Sequence, residues 1–291
     1  MDRIVHINKY MKIFRTAIIV ASIAGCLALV GSAQPDTRAS KTWEVQKYDI
    51  NVTLPSAEGD RSISSRVILS LRNVSPATAS NLTLRISPLA EVSSVKVGAI
   101  QTDFTKNEEK VGSGTLQRVG LRALSVPPGG AASVEVTYRL RVEENSGLAA
   151  LTPAYAQFLP LSFWYPTPNS WYFPRGADYA PYQIQITSPS GATVVSAGAL
   201  TAGGFDQPIY GQPFFVVGNY DSVSSRNVSV NIAKGTGADE RKRADDLAAF
   251  AADAKAHFET LFGTSPNVPL RLISVRRGAG YADAGTILLD E

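Results

Sequence analysis

One cysteine and two histidines are all that this chain of 291 residues offers to sulfur and imidazole chemistry. Cys26 lies in an N-terminal apolar run, so no disulfide framework holds the remainder together. His6 lies in the same leader, which leaves His257 alone. A metallohydrolase centre needs several imidazole and carboxylate ligands close together, with a water position left open. No His-Glu-x-x-His pair is present. Charge is scarce as well: charged residues make up 18% of the chain, below the roughly 25% usual in globular domains. The formal net charge of +3 belongs to the leader, where Arg3, Lys9, Lys12 and Arg15 stand against Asp2; beyond it, 24 basic residues face 24 acidic ones. A balanced chain has no electrostatic footprint for nucleic acid. The run Arg241-Lys242-Arg243 is ringed by Asp239, Glu240, Asp245 and Asp246, as at a solvated helix end. Serine chemistry is missing too, since Val111-Gly112-Ser113-Gly114 lacks the Gly-x-Ser-x-Gly frame. Gly278-Ala279-Gly280 is no dinucleotide fingerprint. The expectation is that the chain contributes no catalytic residue and no metal ligand.

What is present begins with a leader. Lys12 and Arg15 precede an apolar run from Ala17 to Val30, the charged-then-apolar order of a secretory signal. The run is short for a membrane span, which takes about 20 apolar residues. Two processing sites compete. Gly31-Ser32-Ala33 offers small residues before Gln34. Ile23-Ala24-Gly25-Cys26 resembles a lipobox, in which Cys26 would be lipidated and anchor the protein to a membrane. The expected organisation is a signal peptide over residues 1–33, a polar linker over 34–42, a β domain over 43–236, and the opening of a second domain over 237–291. The expected location is periplasmic or extracellular.

The β domain announces itself by period-2 alternation. Val45, Tyr48, Ile50, Val52 and Leu54 are nearly in phase. Further strands are expected at Arg66–Leu71, Asn81–Ile86, Val92–Val97, Gln117–Leu121 and Ala132–Val142. Turn chemistry separates them, at Glu58-Gly59-Asp60 and at Pro127-Pro128-Gly129-Gly130. Many short strands with regular turns predict a mainly β chain, in the form of an antiparallel β-sandwich. Strand signals resume at Tyr182–Thr187, Thr193–Ser196, Phe214–Val217 and Asn227–Ile232. Between the two series lies an aromatic, proline-rich segment with Phe163, Trp164, Tyr165, Trp171, Tyr172 and Phe173. It reads either as a stacking platform for glycan or peptide or as a loop whose aromatics cap the core. Four Asn-x-Ser/Thr sites stand at Asn51, Asn73, Asn81 and Asn227.

The period then changes to that of a helix over Ala238–Phe262. Leu247, Phe250, Ala254, Phe258 and Leu261 give it one apolar face. Asp239 and Glu240 suit its N-terminal end, and Gly263 follows the last turn. Phe250, Phe258 and Leu261 are expected to lack partners within this chain. Strand-like runs follow at Leu270–Val275 and Thr286–Leu289, which predicts an unfinished α/β unit.

The order of these features resembles a family. Tyr48-Asp49-Ile50-Asn51-Val52 is followed by Phe163-Trp164-Tyr165-Pro166, by Tyr182-Gln183-Ile184-Gln185-Ile186 and by Phe214-Phe215-Val216-Val217-Gly218-Asn219-Tyr220. The helix, Phe262-Gly263 with Pro266, and a strand complete the series. Over residues 43–291 the sequence resembles the N-terminal part of the gluzincin zinc aminopeptidases, the alanyl-aminopeptidase and leukotriene-hydrolase-like enzymes. The resemblance implies a saddle-like β domain before an incomplete, thermolysin-like catalytic domain. It implies peptide hydrolysis, a peptide substrate, and zinc in the full-length family but none bound by this chain. It also places a substrate loop at Gly280, Tyr281, Ala282 and Asp283, with Ala282 for the family's Met, Asp283 for its Glu and Ala284 for its Asn. The alternative reading is a non-catalytic exported β-sandwich module that binds glycan or protein.

Overall fold

The computed structural model describes residues 42–57, 59–111, 114–122, 124–168, 179–189, 191–263, 268–275, 281–283 and 285–290. The leader with Cys26, the linker up to residue 41, Trp171, Tyr172, Phe173, Gly280 and Ala284 lie outside them.

Alternation along the chain becomes a large sheet. β1 (Trp43–Thr53), β2 (Ser62–Asn73), β4 (Ala90–Val97), β5 (Ile100–Gln101), β8 (Ala131–Arg141), β11 (Ala180–Thr187), β13 (Ala199–Thr201) and β14 (Gly204–Gly211) form it in the order β13-β14-β11-β1-β2-β8-β4-β5. The phase slip between Val45 and Tyr48 has a local cause: the β1–β2 register shifts between Val45 and Lys47. Such an irregularity returns the later side chains to the same face, so Val45, Tyr48, Ile50 and Val52 are all buried.

The sheet is not purely antiparallel, which corrects the expectation. β1 runs parallel to β11, with Tyr48 opposite Tyr182 and Ile50 opposite Ile184. A parallel pair needs a long crossover, and here most of the domain lies between its two strands. Nor is there a simple pair of sheets. β3 (Leu82–Ile86), β6 (Phe104–Val111) and β7 (Gly114–Leu121) form one three-stranded sheet. β9 (Ala149–Thr152), β10 (Tyr155–Phe158), β12 (Thr193–Val195) and β15 (Phe215–Gly218) form a four-stranded one. Buried residues of both join those of the large sheet in one hydrophobic cluster.

The three-stranded sheet carries a partly buried ion pair. Arg85 of β3 donates to Glu109 of β6 from Nε (2.6 Å) and Nη2 (3.2 Å). Those hydrogen bonds, with the guanidinium charge, hold the Glu109 carboxyl below its ordinary 4.5. A depressed folded-state pKa contributes stability that is present above the unfolded value and lost as pH falls through the folded one. Glu109→Gln is therefore expected to cost about 1 kcal/mol at neutral pH. The difference from wild type should vanish in acid, below the lowered value. Urea unfolding of both proteins across that range checks it, and a penalty independent of pH would contradict it.

Asn73 ends β2 wholly buried. Its Nδ2 donates to the carbonyls of Ala77 (2.8 Å) and Val126 (2.9 Å), and its Oδ1 accepts from the Ser75 N–H (2.9 Å). This side chain closes a turn.

The last sheet is α/β in character. β16 (Tyr220–Ser225), β17 (Val228–Ala233), β18 (Leu270–Val275), β19 (Tyr281–Asp283) and β20 (Thr286–Asp290) take the order β16-β17-β18-β20-β19. β17, β18 and β20 are mutually parallel, and the helix α1 (Ala238–Phe262) joins β17 to β18. β17, read from the sequence at Asn227–Ile232 as the close of the sandwich series, thus hydrogen-bonds with β18, which follows the helix, and β16 pairs with β17 at the sheet's edge.

The helix ends agree with the sequence reading. Asp239 and Glu240 occupy the first turn, and the N–H of Gly263, at φ 88°, donates to the Glu259 carbonyl. The buried face is another matter. Ala244, Ala248 and Ala252 are buried against Val228, Val230 and Leu272. Phe250, Phe258 and Leu261 are 71%, 56% and 60% exposed. Small alanines let the helix lie close on the sheet, and this leaves the aromatic face outside.

Candidate functional site

β19 is an edge strand, paired antiparallel to β20 with Tyr281 opposite Leu288, Ala282 opposite Ile287 and Asp283 opposite Thr286. Alternation sends Tyr281 and Asp283 to one face and Ala282, which is exposed, to the other. The structure thus brings two of the four expected substrate residues together. Gly280 lies outside the described residues.

The face shared by Tyr281 and Asp283 meets the segment that joins β14 to β15. Asp283 Oδ2 accepts from the main-chain N–H of Gln212 (2.6 Å) and from the Tyr281 hydroxyl (3.3 Å). The Tyr281 ring meets Phe214 edge-on at 5.2 Å. Burial, and then the Asp283 charge, push the Tyr281 hydroxyl far above its ordinary value. It stays protonated, as a donor to the carboxylate. Burial does the same to Tyr182. On β18, separated from β19 by β20, Arg271 Nη1 donates to the carbonyls of Ser196 (3.3 Å) and Gly198, with the guanidinium over the Phe205 ring. Desolvation lowers the Arg271 pKa.

The chemistry here is that of holding. A carboxylate fixed by a phenol and a main-chain N–H can accept a cationic or N–H group without reorganising. An edge strand presents main-chain groups to an extended chain. The sequence gives no local sign of Gln212, Phe214, Tyr182 or Arg271 at this place.

A zinc ion is another matter. Among the described residues no three His, Cys, Asp or Glu side chains stand close enough to share a metal. His257 is exposed on α1, its ring 5.9 Å from that of Phe258. The residues described do not fit a zinc centre.

Two other features bear on the site. Trp164 and Tyr165 are fully buried. The Trp164 ring packs against Phe158, Tyr165 and Phe215, so these two aromatics cap the core and are not open to a glycan. A cleft of about 690 Å³ opens beside the β1–β2 turn, lined by Leu54, Pro55, Arg61, Pro153, Tyr155 and Pro189 among others. Arg61 already donates to the Glu143 carbonyl and to Asn145 Oδ1. The cleft shares no residue with β19.

No protein-family model matches the chain, and no curated protein matches it. Solved structures do. An M1 zinc metallopeptidase from Deinococcus radiodurans superposes with a TM-score of 0.62 at 17% identity, over 86% of this chain and 61% of that one. A mutant two-domain M1 zinc metallopeptidase bound to L-arginine gives 0.63 at 16% identity, over the same shares. Native yeast LTA4 hydrolase gives 0.65 at 13% identity, over 86% of this chain and 40% of that one. The fold is that of the N-terminal part of the gluzincin, or M1, zinc metallopeptidases. The resemblance in the sequence is borne out at that level. The chain spans less than two thirds of the length of these structures.

Proposed function

We propose that this polypeptide is the N-terminal portion of an exported zinc aminopeptidase, with the zinc site supplied by residues that follow Glu291 in a longer product. The observation that carries the reading is the tie between the two parts of the fold. The strand expected to meet substrate, β19, sits at the edge of an α/β sheet, and its carboxylate is bonded to Gln212 of the β domain. In this reading the α/β part opens a thermolysin-like domain whose first strands are β16 and β17. Asp283 holds the free amine of a peptide, and the main chain of β19 pairs with the peptide backbone. Tyr281 keeps the carboxylate oriented. Zinc, when bound by the longer product, supplies Lewis-acid activation of water and carbonyl. The leader takes the protein to the periplasm or the extracellular space, with Cys26 as the lipid anchor if the lipobox is used.

Reading the coding sequence past Glu291 tests this. A His-Glu-x-x-His motif followed by a further Glu is expected. A stop codon at that point, or a continuation without the motif, would sink the proposal.

A further inference from the structure

A cation stands at the wall of the cleft beside the β1–β2 turn with its donors only partly used. Arg61 donates from Nη1 to the Glu143 carbonyl (2.8 Å) and from Nη2 to Asn145 Oδ1 (2.9 Å). Asn145 is itself pinned, because the same oxygen accepts the Leu151 N–H (2.9 Å). Both acceptors are neutral. A guanidinium has about five N–H donors in all, so part of the fork is left over. Among the described residues no carboxylate pairs with Arg61. The acid next to it in sequence is already engaged: Asp60 takes Arg139 Nη2 on both oxygens (2.9 and 3.0 Å) and the Ser62 N–H on one of them (3.0 Å). Glu143 offers Arg61 its carbonyl and not its carboxylate. The guanidinium is thus oriented by neutral oxygens and keeps its charge for another partner. Arginine suits a carboxylate in that role, because the planar fork matches both oxygens.

The rest of the cleft is mostly apolar and stiff. Leu54, Pro55, Pro153, Tyr155, Pro189 and Val217 line it. Proline fixes its own φ, and Pro153-Ala154 is the two-residue turn between Thr152 of β9 and Tyr155 of β10. These walls are formed before any ligand arrives. The volume of about 690 Å³ lies within the roughly 300–1,000 Å³ of small-ligand pockets. Ser56 and Asn219 add a hydroxyl and an amide to the lining. We infer that this cleft binds the free C-terminus of a short apolar peptide, with the terminal carboxylate on Arg61 and the last side chains against Pro55, Pro153 and Tyr155. The peptide is favoured over a fatty acid of the same charge because its amides give Ser56 and Asn219 partners, where an alkyl chain would desolvate them without return. The inference uses no residue of β19 and is independent of the proposed function.

The test titrates the 291-residue chain into a peptide that carries fluorescein at its N-terminus and ends in Ala-Pro-Ala-Phe, with anisotropy as the readout. The free acid should bind saturably. The C-terminal amide of the same peptide should bind at least about tenfold more weakly, and Arg61→Gln should weaken the free acid by a similar factor. Arg61→Lys should restore part of the loss, since it returns the charge without the fork. Ala154 lines the cleft and is exposed in the hairpin turn. Ala154→Glu leaves the bonds of Arg61 in place and sets a like charge beside the ligand. It should weaken the acid severalfold and leave the amide unchanged, while Ala154→Gln binds as wild type. This second pair keeps the test open if Arg61→Gln folds poorly. No saturable binding of the free acid up to about 1 mM, or equal binding of acid and amide, would overturn the inference. Displacement of the labelled peptide by decanoate but not by the unlabelled peptide would assign the cleft to a lipid and overturn it too.

Discussion

Replacing Trp164 by alanine is expected to lower the free energy of unfolding by about 3–5 kcal/mol. The side chain is fully buried, and its ring centroid lies 5.1 Å from that of Tyr165, 5.2 Å from Phe215 and 6.2 Å from Phe158. Its indole N–H donates to the Pro213 carbonyl at 3.2 Å. Its own carbonyl accepts the buried Tyr138 hydroxyl at 2.6 Å. Alanine would leave a large cavity and orphan the Pro213 acceptor. Both are costly because a packed core relaxes only in part. A domain holds about 5–15 kcal/mol in all, so the variant should unfold near physiological temperature. Urea unfolding measures the loss. A loss under about 1 kcal/mol, accompanied by lost glycan binding, would instead favour the stacking-platform reading of this segment.

Gly198→Ala is the second large effect, expected at about 3 kcal/mol or more from strain and overpacking together. Gly198 has φ +85°, where a Cβ is disfavoured in any case. A Cβ built there would stand 2.2 Å from the Asp206 carbonyl oxygen and 2.8 Å from the Gln207 nitrogen. Both neighbours are main chain of β14, in the large sheet, and cannot swing aside. The Gly198 carbonyl also accepts Arg271 Nη1 from β18. Displacing the turn would therefore loosen the tie between β18 and the segment that leads into β13 and β14. Arg271→Met separates the two causes, since it removes the latch and leaves the turn unstrained. Thermal unfolding should rank wild type above Arg271→Met above Gly198→Ala. Gly198→Ala at wild-type stability would contradict the close approach.

Legibility followed the physics of each element. β1 shows in the sequence because one face is buried along its whole length, and the slip at Gln46 is the mark of its irregular register. β6 does not show, since Phe-Thr-Lys-Asn-Glu-Glu-Lys-Val has little to bury and is held by pairing with β7. β9 and β10 are four residues each and rich in alanine, too short for a period. The ends of α1 are legible because caps and end charges are local. Its buried face is not, because alanine carries a weak apolar signal beside phenylalanine. Tyr281, Ala282 and Asp283 enter as candidates only through the resemblance, since nothing local in the sequence marks them. Their partners were hidden because they are remote in sequence, 71 residues in the case of Gln212 and Asp283. The parallel pairing of β1 with β11 was hidden for the same reason.

The central claim is that this segment belongs to a longer zinc peptidase. The direct measurement is on the native polypeptide, captured from its source with an antibody raised against residues of the β domain. Intact mass and zinc content are then read on the same sample. The account predicts a chain that extends past Glu291 and carries one zinc ion. A native chain that stops at Glu291, or a longer one free of zinc after mild dialysis, would contradict it.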